Sequence, residues 1–97
     1  NVYPKEIENQ IDGLDGVKES AVIGIHHPDF GEAVAAVVVA DAKGELSEQS
    51  VRDALDGKLA RFKIPKRVFF IDELPRNAMG KVQKAQLRER FADMFGD

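Results

Sequence analysis

The succession of apolar patterns predicts an α+β domain. A small sheet of about three strands, an antiparallel pair plus a third strand, is covered by helices in the order α-β-β-α-β-α. Three observations carry that prediction. The chain opens on a helix-spaced apolar stripe. Two strand-like stretches follow with only a short turn between them, which is too little chain for a crossover. A capped helical stretch, a strand and a last helical stretch complete the 97 residues.

Each element has its own local justification. Pro4 suits a first helical position, and Ile7, Ile11 and Leu14 follow at i, i+4 and i+7. Gly13 and Gly16 stop this helix. Val17, Ala21, Ile23 and Ile25 share odd-numbered spacing, which puts them on one face of a strand from about 17 to 26. His26-His27-Pro28-Asp29-Phe30-Gly31 is turn chemistry. Ala33 to Ala40 is continuously apolar, as a strand buried on both faces requires. Asp41 to Leu46 is polar and contains Gly44. Ser47 then caps a helix whose buried stripe is Val51, Ala54, Leu55 and Leu59. Gly57 falls inside that helix and weakens it by about 1 kcal/mol relative to alanine. Pro65 ends helical structure, Arg67 to Ile71 reads as the third strand, and Leu87, Phe91 and Met94 or Phe95 define a final amphipathic helix.

Composition bounds what such a domain does. Hydrophobic content of 43% and charged content of 32% are those of a water-soluble globular chain. No apolar run nears membrane-span length, and no signal peptide is expected. With no cysteine, disulfides and thiolate metal sites are excluded. A net charge of −3 argues against a general nucleic-acid binder. The start at Asn1-Val2-Tyr3-Pro4, without an initiator methionine, reads as a fragment of a longer chain. No repeat, low-complexity tract or linker is present, so residues 1–97 form one domain.

The segment Leu74-Pro75-Arg76-Asn77-Ala78-Met79-Gly80-Lys81 stands apart from this ordinary background. Pro75 fixes its own φ, Asn77 favours turns and Gly80 permits positive φ. Together they present the long cation of Lys81 at the tip of a constrained turn, where it can meet negative charge developing on a phosphate or carboxylate. Elsewhere the readings are plainer. His26-His27 near Asp29 lacks a third ligand at useful spacing, so no metal site is expected. Glu6 lies near a helix N-terminus, where the dipole favours it, and neither it nor Glu8 needs a catalytic role. Arg88, Glu89 and Arg90 read as the solvated face of the last helix.

Four blocks together carry a family resemblance: Val2-Tyr3-Pro4 with Glu6-Ile7-Glu8; Val22-Ile23-Gly24 with Pro28-Asp29 and Gly31-Glu32; Phe62-Lys63-Ile64-Pro65-Lys66; and the Lys81 segment. In order and spacing they resemble the mobile C-terminal domain of adenylate-forming enzymes, in particular acyl-CoA synthetases of the malonyl-CoA synthetase type. The resemblance implies a cytoplasmic acid–thiol ligase using ATP, CoA and Mg2+ as the full-length enzyme, with no cofactor bound by this fragment. A carboxylate attacks the α-phosphate of ATP, releasing pyrophosphate, and the CoA thiol then displaces AMP. Lys81 matches the family's catalytic lysine, which bridges the attacking oxygen and an α-phosphate oxygen as charge builds at phosphorus.

For the second step the resemblance implies that the domain rotates and presents another face. A missing side chain at Gly24 would let a pantetheine arm pass close to backbone, or Gly24 is simply a glycine tolerated in an edge strand. Phe62, Lys66 and Arg67 are candidate contacts to the nucleotide end of CoA, the ring stacking on adenine and the cations pairing with phosphates. The alternative for this stretch is a core phenylalanine flanked by solvated cations. In this family the matching lysine is also acetylated, which removes its charge, so Lys81 rather than Lys84 is the expected modification site. The implied partners are the enzyme's own N-terminal domain, a protein lysine acetyltransferase and a deacetylase, with neither nucleic acid nor membrane. By itself the fragment is expected to be inactive. A non-enzymatic α+β binding module for RNA or a regulatory ligand is the competing class, and the acidic balance and the lack of exposed-looking aromatics on the central strand stand against it.

Overall fold

The computed structural model describes residues 3–41 and 45–95. Asn1, Val2 and Gly44, which figure in the sequence reading, lie outside the described residues. The elements are α1 (Pro4–Asp12), β1 (Val17–His27), β2 (Gly31–Ala40), α2 (Glu48–Leu55), a 3-10 turn (Arg61–Lys63), β3 (Arg67–Phe70) and α3 (Lys84–Arg90). This is the expected α-β-β-α-β-α order.

The sheet runs β1-β2-β3, with β1 antiparallel and β3 parallel to β2. The central strand is β2, and its apolar run divides by parity between two cores. Ala35, Val37 and Val39 face Ala21, Ile23 and Ile25 of β1, Phe69 of β3, and Leu87 and Phe91. Ala36 and Val38 face Ile7 and Ile11 of α1, Val51 and Leu55 of α2, and Val68. Thus α1 and α2 cover one face of the sheet and α3 the other. Helix α2 begins where expected: the Ser47 hydroxyl accepts from the Ser50 N–H at 3.0 Å, and the Ser50 hydroxyl accepts from the Ser47 N–H at 2.9 Å.

Several details depart from the sequence reading. Both strands of the hairpin run further than read, so the turn shrinks to residues 28–30; β3 ends at Phe70 and not Ile71, and Ala54 is only half-buried. Val17 does not share a face with Ala21, Ile23 and Ile25. The register shifts between Val17 and Glu19, and such a bulge reverses side-chain parity, so Val17 packs with Leu14 and Leu46 against the α1/α2 core. Gly57 is not inside α2. The helix ends at Leu55, and Gly57 takes φ of +88° just beyond it, so it terminates the helix while Leu59 reaches the same core from the turn. Helix α3 stops at Arg90. The Phe91 ring stacks on Phe69 at 4.5 Å, and Arg67 Nη1 donates to the Met94 carbonyl at 3.3 Å, which hold the following residues in turns. Phe95 packs on the core, whereas Met94 is 43% exposed. Among the described residues no helix is long and apolar enough to cross a membrane.

Gly57 offers a direct check. No heavy atom lies within 4 Å of a Cβ added there, so Gly57→Ala isolates the backbone cost of positive φ. Denaturant unfolding should show a loss of about 1–2 kcal/mol. A helix-interior glycine would instead give a gain of about 1 kcal/mol.

Candidate functional site

The segment from Leu74 to Lys81 forms a closed turn built by its own polar groups. Leu74 is buried and fixes its near end in the α3-side core. The two legs pair through an antiparallel bridge between Arg76 and Val82 and through the Gln83 N–H, which donates to the Pro75 carbonyl at 2.8 Å. At the tip, Asn77 Oδ1 accepts from the N–H groups of both Met79 and Lys81, each at 3.0 Å. The Gly80 N–H donates to the Asn77 carbonyl at 2.9 Å, and the Asn77 N–H donates to the Lys81 carbonyl at 3.0 Å. Gly80 takes φ of +83°, which closes the turn at little cost only for glycine. Lys81 is exposed, and no carboxylate lies within ion-pair distance of its ammonium among the described residues. Lys84, by contrast, pairs with Glu8 at 2.7 Å.

One ion pair ties this turn to the sheet. Arg76 Nη2 and Nη1 donate to Glu19 Oε1 and Oε2 at 2.6 and 3.2 Å, and its Nε donates to the Gly80 carbonyl at 3.0 Å. Hydrogen bonding from Arg76 holds the Glu19 carboxyl below its ordinary range against the opposing effect of burial, and Glu19 raises the guanidinium's own value in turn. Glu48 behaves similarly on the other face. Burial pushes its carboxyl up, but the Val68 N–H at 2.7 Å and Arg67 Nε at 2.8 Å outweigh that and lower it.

A second group of candidates gathers around the β1–β2 hairpin. Phe30, Glu32, Val34, Phe62, Ile64 and Lys66 line a groove of about 260 Å³. Phe62 projects from the 3-10 turn and is 69% exposed, so it is not the core phenylalanine of the alternative reading. Lys66 Nζ lies 4.9 Å from the centre of the Phe30 ring. Gly24 adjoins this groove through Glu32, whose carboxyl lies where a Cβ would be, with Cδ only 2.5 Å from it. Arg67 does not join them, because it is committed to Glu48 and to the Met94 carbonyl. Phe30 and Glu32 are additions to the sequence reading. The signal for Glu32 was available in the hairpin register, which pairs Gly24 with Val34 and His26 with Glu32 and so places Glu32 diagonally across from Gly24.

Other polar residues have structural partners. His27 Nδ1 accepts from the Asp29 N–H at 3.0 Å, and its ring stacks on Phe30 at 4.4 Å. Glu8 accepts from the Val22 N–H at 2.8 Å and Glu6 pairs with Lys63 at 2.8 Å. Among the described residues no group of three or more His, Asp or Glu side chains is placed to hold a metal ion.

A family model for the AMP-binding enzyme C-terminal domain matches residues 6–81 and ends on Lys81. The chain belongs to that family. Relatives of the AMP-binding C-terminal domain described here include the long-chain-fatty-acid–CoA ligase FadD13 of Mycobacterium tuberculosis. It is 49% identical over 92 residues, 95% of this chain and 18% of that protein. The indoleacetate–CoA ligase of Aromatoleum aromaticum is 45% identical over 92 residues, with the same 95% and 18% coverage. Among solved structures, ATP-bound MatB from Rhodopseudomonas palustris superposes with a TM-score of 0.95 and 59% identity, over 98% of this chain and 19% of that one. The chain therefore spans under a fifth of the length of these relatives.

The Glu19–Arg76 pair adds a small, acid-sensitive contribution to how the Lys81 turn is held on β1. A depressed carboxyl stabilises fully above the ordinary carboxylate range, and that contribution is lost as pH falls through the lower folded value. Thermal unfolding should therefore show Glu19→Gln slightly less stable than the parent at pH 7, with the gap narrowing as pH falls below the ordinary carboxylate range of about 4.3 and closing below the lowered folded value. A gap that stays constant down to pH 3 would show that the charge on Glu19 is not what matters.

Proposed function

We propose that this domain is the mobile C-terminal part of an ATP-dependent acyl-CoA synthetase and supplies Lys81 to the adenylation step. The observation that carries the reading is the Lys81 turn: a rigid backbone presents one exposed ammonium that has no carboxylate partner among the described residues. In that role an oxygen of the substrate carboxylate attacks the α-phosphorus of ATP while the bond to pyrophosphate breaks. The Lys81 ammonium bridges the incoming oxygen and a non-bridging α-phosphate oxygen, where negative charge concentrates.

In the second step the thiol of CoA loses its proton, its sulfur attacks the acyl carbonyl, and AMP departs. The groove beside Gly24, lined by Phe62 and Lys66, is the proposed CoA contact, with Phe62 as a stacking platform and Lys66 beside it for phosphate. Support comes from the arrangement of the sheet. The Lys81 turn is tied to the face of β1 that carries Ala21 and Ile23, whereas Gly24 and Glu32 lie on the opposite face. A domain that turns between two half-reactions needs its two functional surfaces separated in this way.

The likeness to MatB favours malonate as the acid, with the acyl pocket in the N-terminal domain. Ligases named for a long-chain fatty acid and for indoleacetate have C-terminal domains nearly as similar, which fits a choice of acid made by residues outside this chain. The setting is cytoplasmic, with ATP, CoA and Mg2+ used by the whole enzyme. Acetylation of the Lys81 nitrogen by a protein lysine acetyltransferase would remove the charge on which adenylation depends, and a deacetylase would restore it.

Three measurements test this. In the full-length enzyme, Lys81→Ala should lower adenylation by about 100-fold or more while thioester formation from a supplied acyl-adenylate persists; equal loss of both would reject the division of labour. After treatment with a lysine acetyltransferase, mass spectrometry should find the acetyl group on Lys81 and not on Lys84, which Glu8 engages. The isolated domain should form no thioester.

A further inference from the structure

We propose that Arg76 and Glu19 are positioning residues for Lys81: together they fix the peptide group that precedes the lysine against β1, so its side chain starts from a single origin. The inference rests on the adenylation role proposed for Lys81. Its basis is the Gly80–Lys81 peptide, both of whose polar atoms are held by side chains. The Gly80 carbonyl accepts from Arg76 Nε at 3.0 Å, and the Lys81 N–H donates to Asn77 Oδ1 at 3.0 Å. The Lys81 carbonyl is held as well, by the Asn77 N–H and by Gln83 Nε2, each at 3.0 Å. Lys81 is thus constrained along its backbone and exposed beyond it.

The two side chains divide the work. Asn77 shapes the turn from within, since all its contacts are to the turn's own backbone. It says nothing about where the turn sits. Arg76 supplies that information, because its other two contacts reach Glu19, 57 residues away in sequence. The bulge at Val17–Glu19 matters here: β1 continues beyond it with Glu19, Ala21 and Ile23 on one face, beside the buried Leu74. Fold stability does not require the arrangement. Leu74 already anchors this end of the segment, a partly exposed ion pair adds little stability, and water can satisfy an exposed carbonyl. A planar guanidinium that grips a carboxylate with two nitrogens and a peptide oxygen with the third sets a distance and an angle, which an ammonium does not. Displacement of a reacting group by about 1 Å can cost about 100-fold in rate.

The test uses the full-length enzyme and the acid turned over fastest among malonate, a long-chain fatty acid and indoleacetate. Adenylation is read as pyrophosphate release, and thioester formation as CoA consumption from supplied acyl-adenylate. Arg76→Lys keeps the charge but loses the fork, and should lower kcat for adenylation about 10- to 100-fold with KM for ATP little changed and thioester formation intact. Glu19→Gln should show a smaller loss of the same kind, and the double variant should lose no more than Arg76→Lys alone, because the two act as a unit. Retained thioester formation reports that the domain is folded; if Arg76→Lys unfolds it, the milder Glu19→Gln decides. A loss shared equally by both half-reactions, or no loss, overturns the positioning role. An inactive Lys81→Ala beside a fully active Arg76→Lys rejects positioning alone, whereas an unaffected Lys81→Ala rejects the catalytic reading of Lys81 and the positioning with it.

Discussion

The arrangement of this domain depends on one strand whose middle, from Ala35 to Val39, is buried on both faces. Between β1 and β3, β2 buries Val37 and Val39 toward α3 and Ala36 and Val38 toward α1 and α2. A fully buried valine contributes about 1.5–3 kcal/mol, so this run outweighs the four partly exposed ion pairs found among the described residues. The strand also sets the geometry of everything polar. Because successive side chains alternate, each neighbour of β2 must present two opposed faces, and β1 uses both. Its Glu19 holds the Lys81 turn on one side, while Gly24 receives the Glu32 carboxyl on the other. These two residues are five positions apart, about 17 Å along the strand. Neither surface can move relative to the other without breaking a core.

That rigidity has a consequence for the proposed rotation. A body that offers one surface for adenylation and another for thioester formation must keep both intact while it turns, and a doubly buried central strand does so. Damage to β2 should therefore be felt by both steps, while damage at a polar anchor is felt only on its own face. The distinction separates residues that make the domain from residues that aim it.

The apolar architecture was legible in the sequence because it follows from spacing. Ile7 and Ile11, the run through Val37 and Val38, and the Ser47 cap each state their environment locally, and each lies where expected. What was not legible depended on an event at a single residue. The bulge after Val17 reversed the parity of one side chain, and only cross-strand pairing reveals it. Gly57 read as a weak helical position because the stripe continued to Leu59, although a glycine at positive φ ends a helix equally well. At the candidate site, the turn chemistry of Pro75, Asn77 and Gly80 announced a constrained lysine. The contact between Arg76 and Glu19 spans most of the chain, and no periodicity encodes it. Arg67 sits in the right basic stretch for a phosphate contact but finds Glu48 instead, since a cation's partner is set by the fold and not by its sequence neighbours.

The two cations of the turn are suited to opposite tasks. Arg76 is held by three contacts in one plane, and its guanidinium keeps its shape as well as its charge. Lys81 carries a compact charge on a flexible stem, and in the proposed adenylation role it would follow negative charge from a carboxylate oxygen toward phosphorus. Exchanging them would give a rigid group where the proposed reaction needs adjustment and a mobile one where the turn needs a fixed angle. The same contrast bears on regulation. The flexible ammonium is the group that an acetyltransferase can neutralise, and the backbone contacts that present it do not involve its side chain. Acetylation in the proposed role would remove the charge while leaving the turn, its anchor on β1 and the groove on the far face in place. It would act on the first half-reaction and leave the structural means of the second untouched.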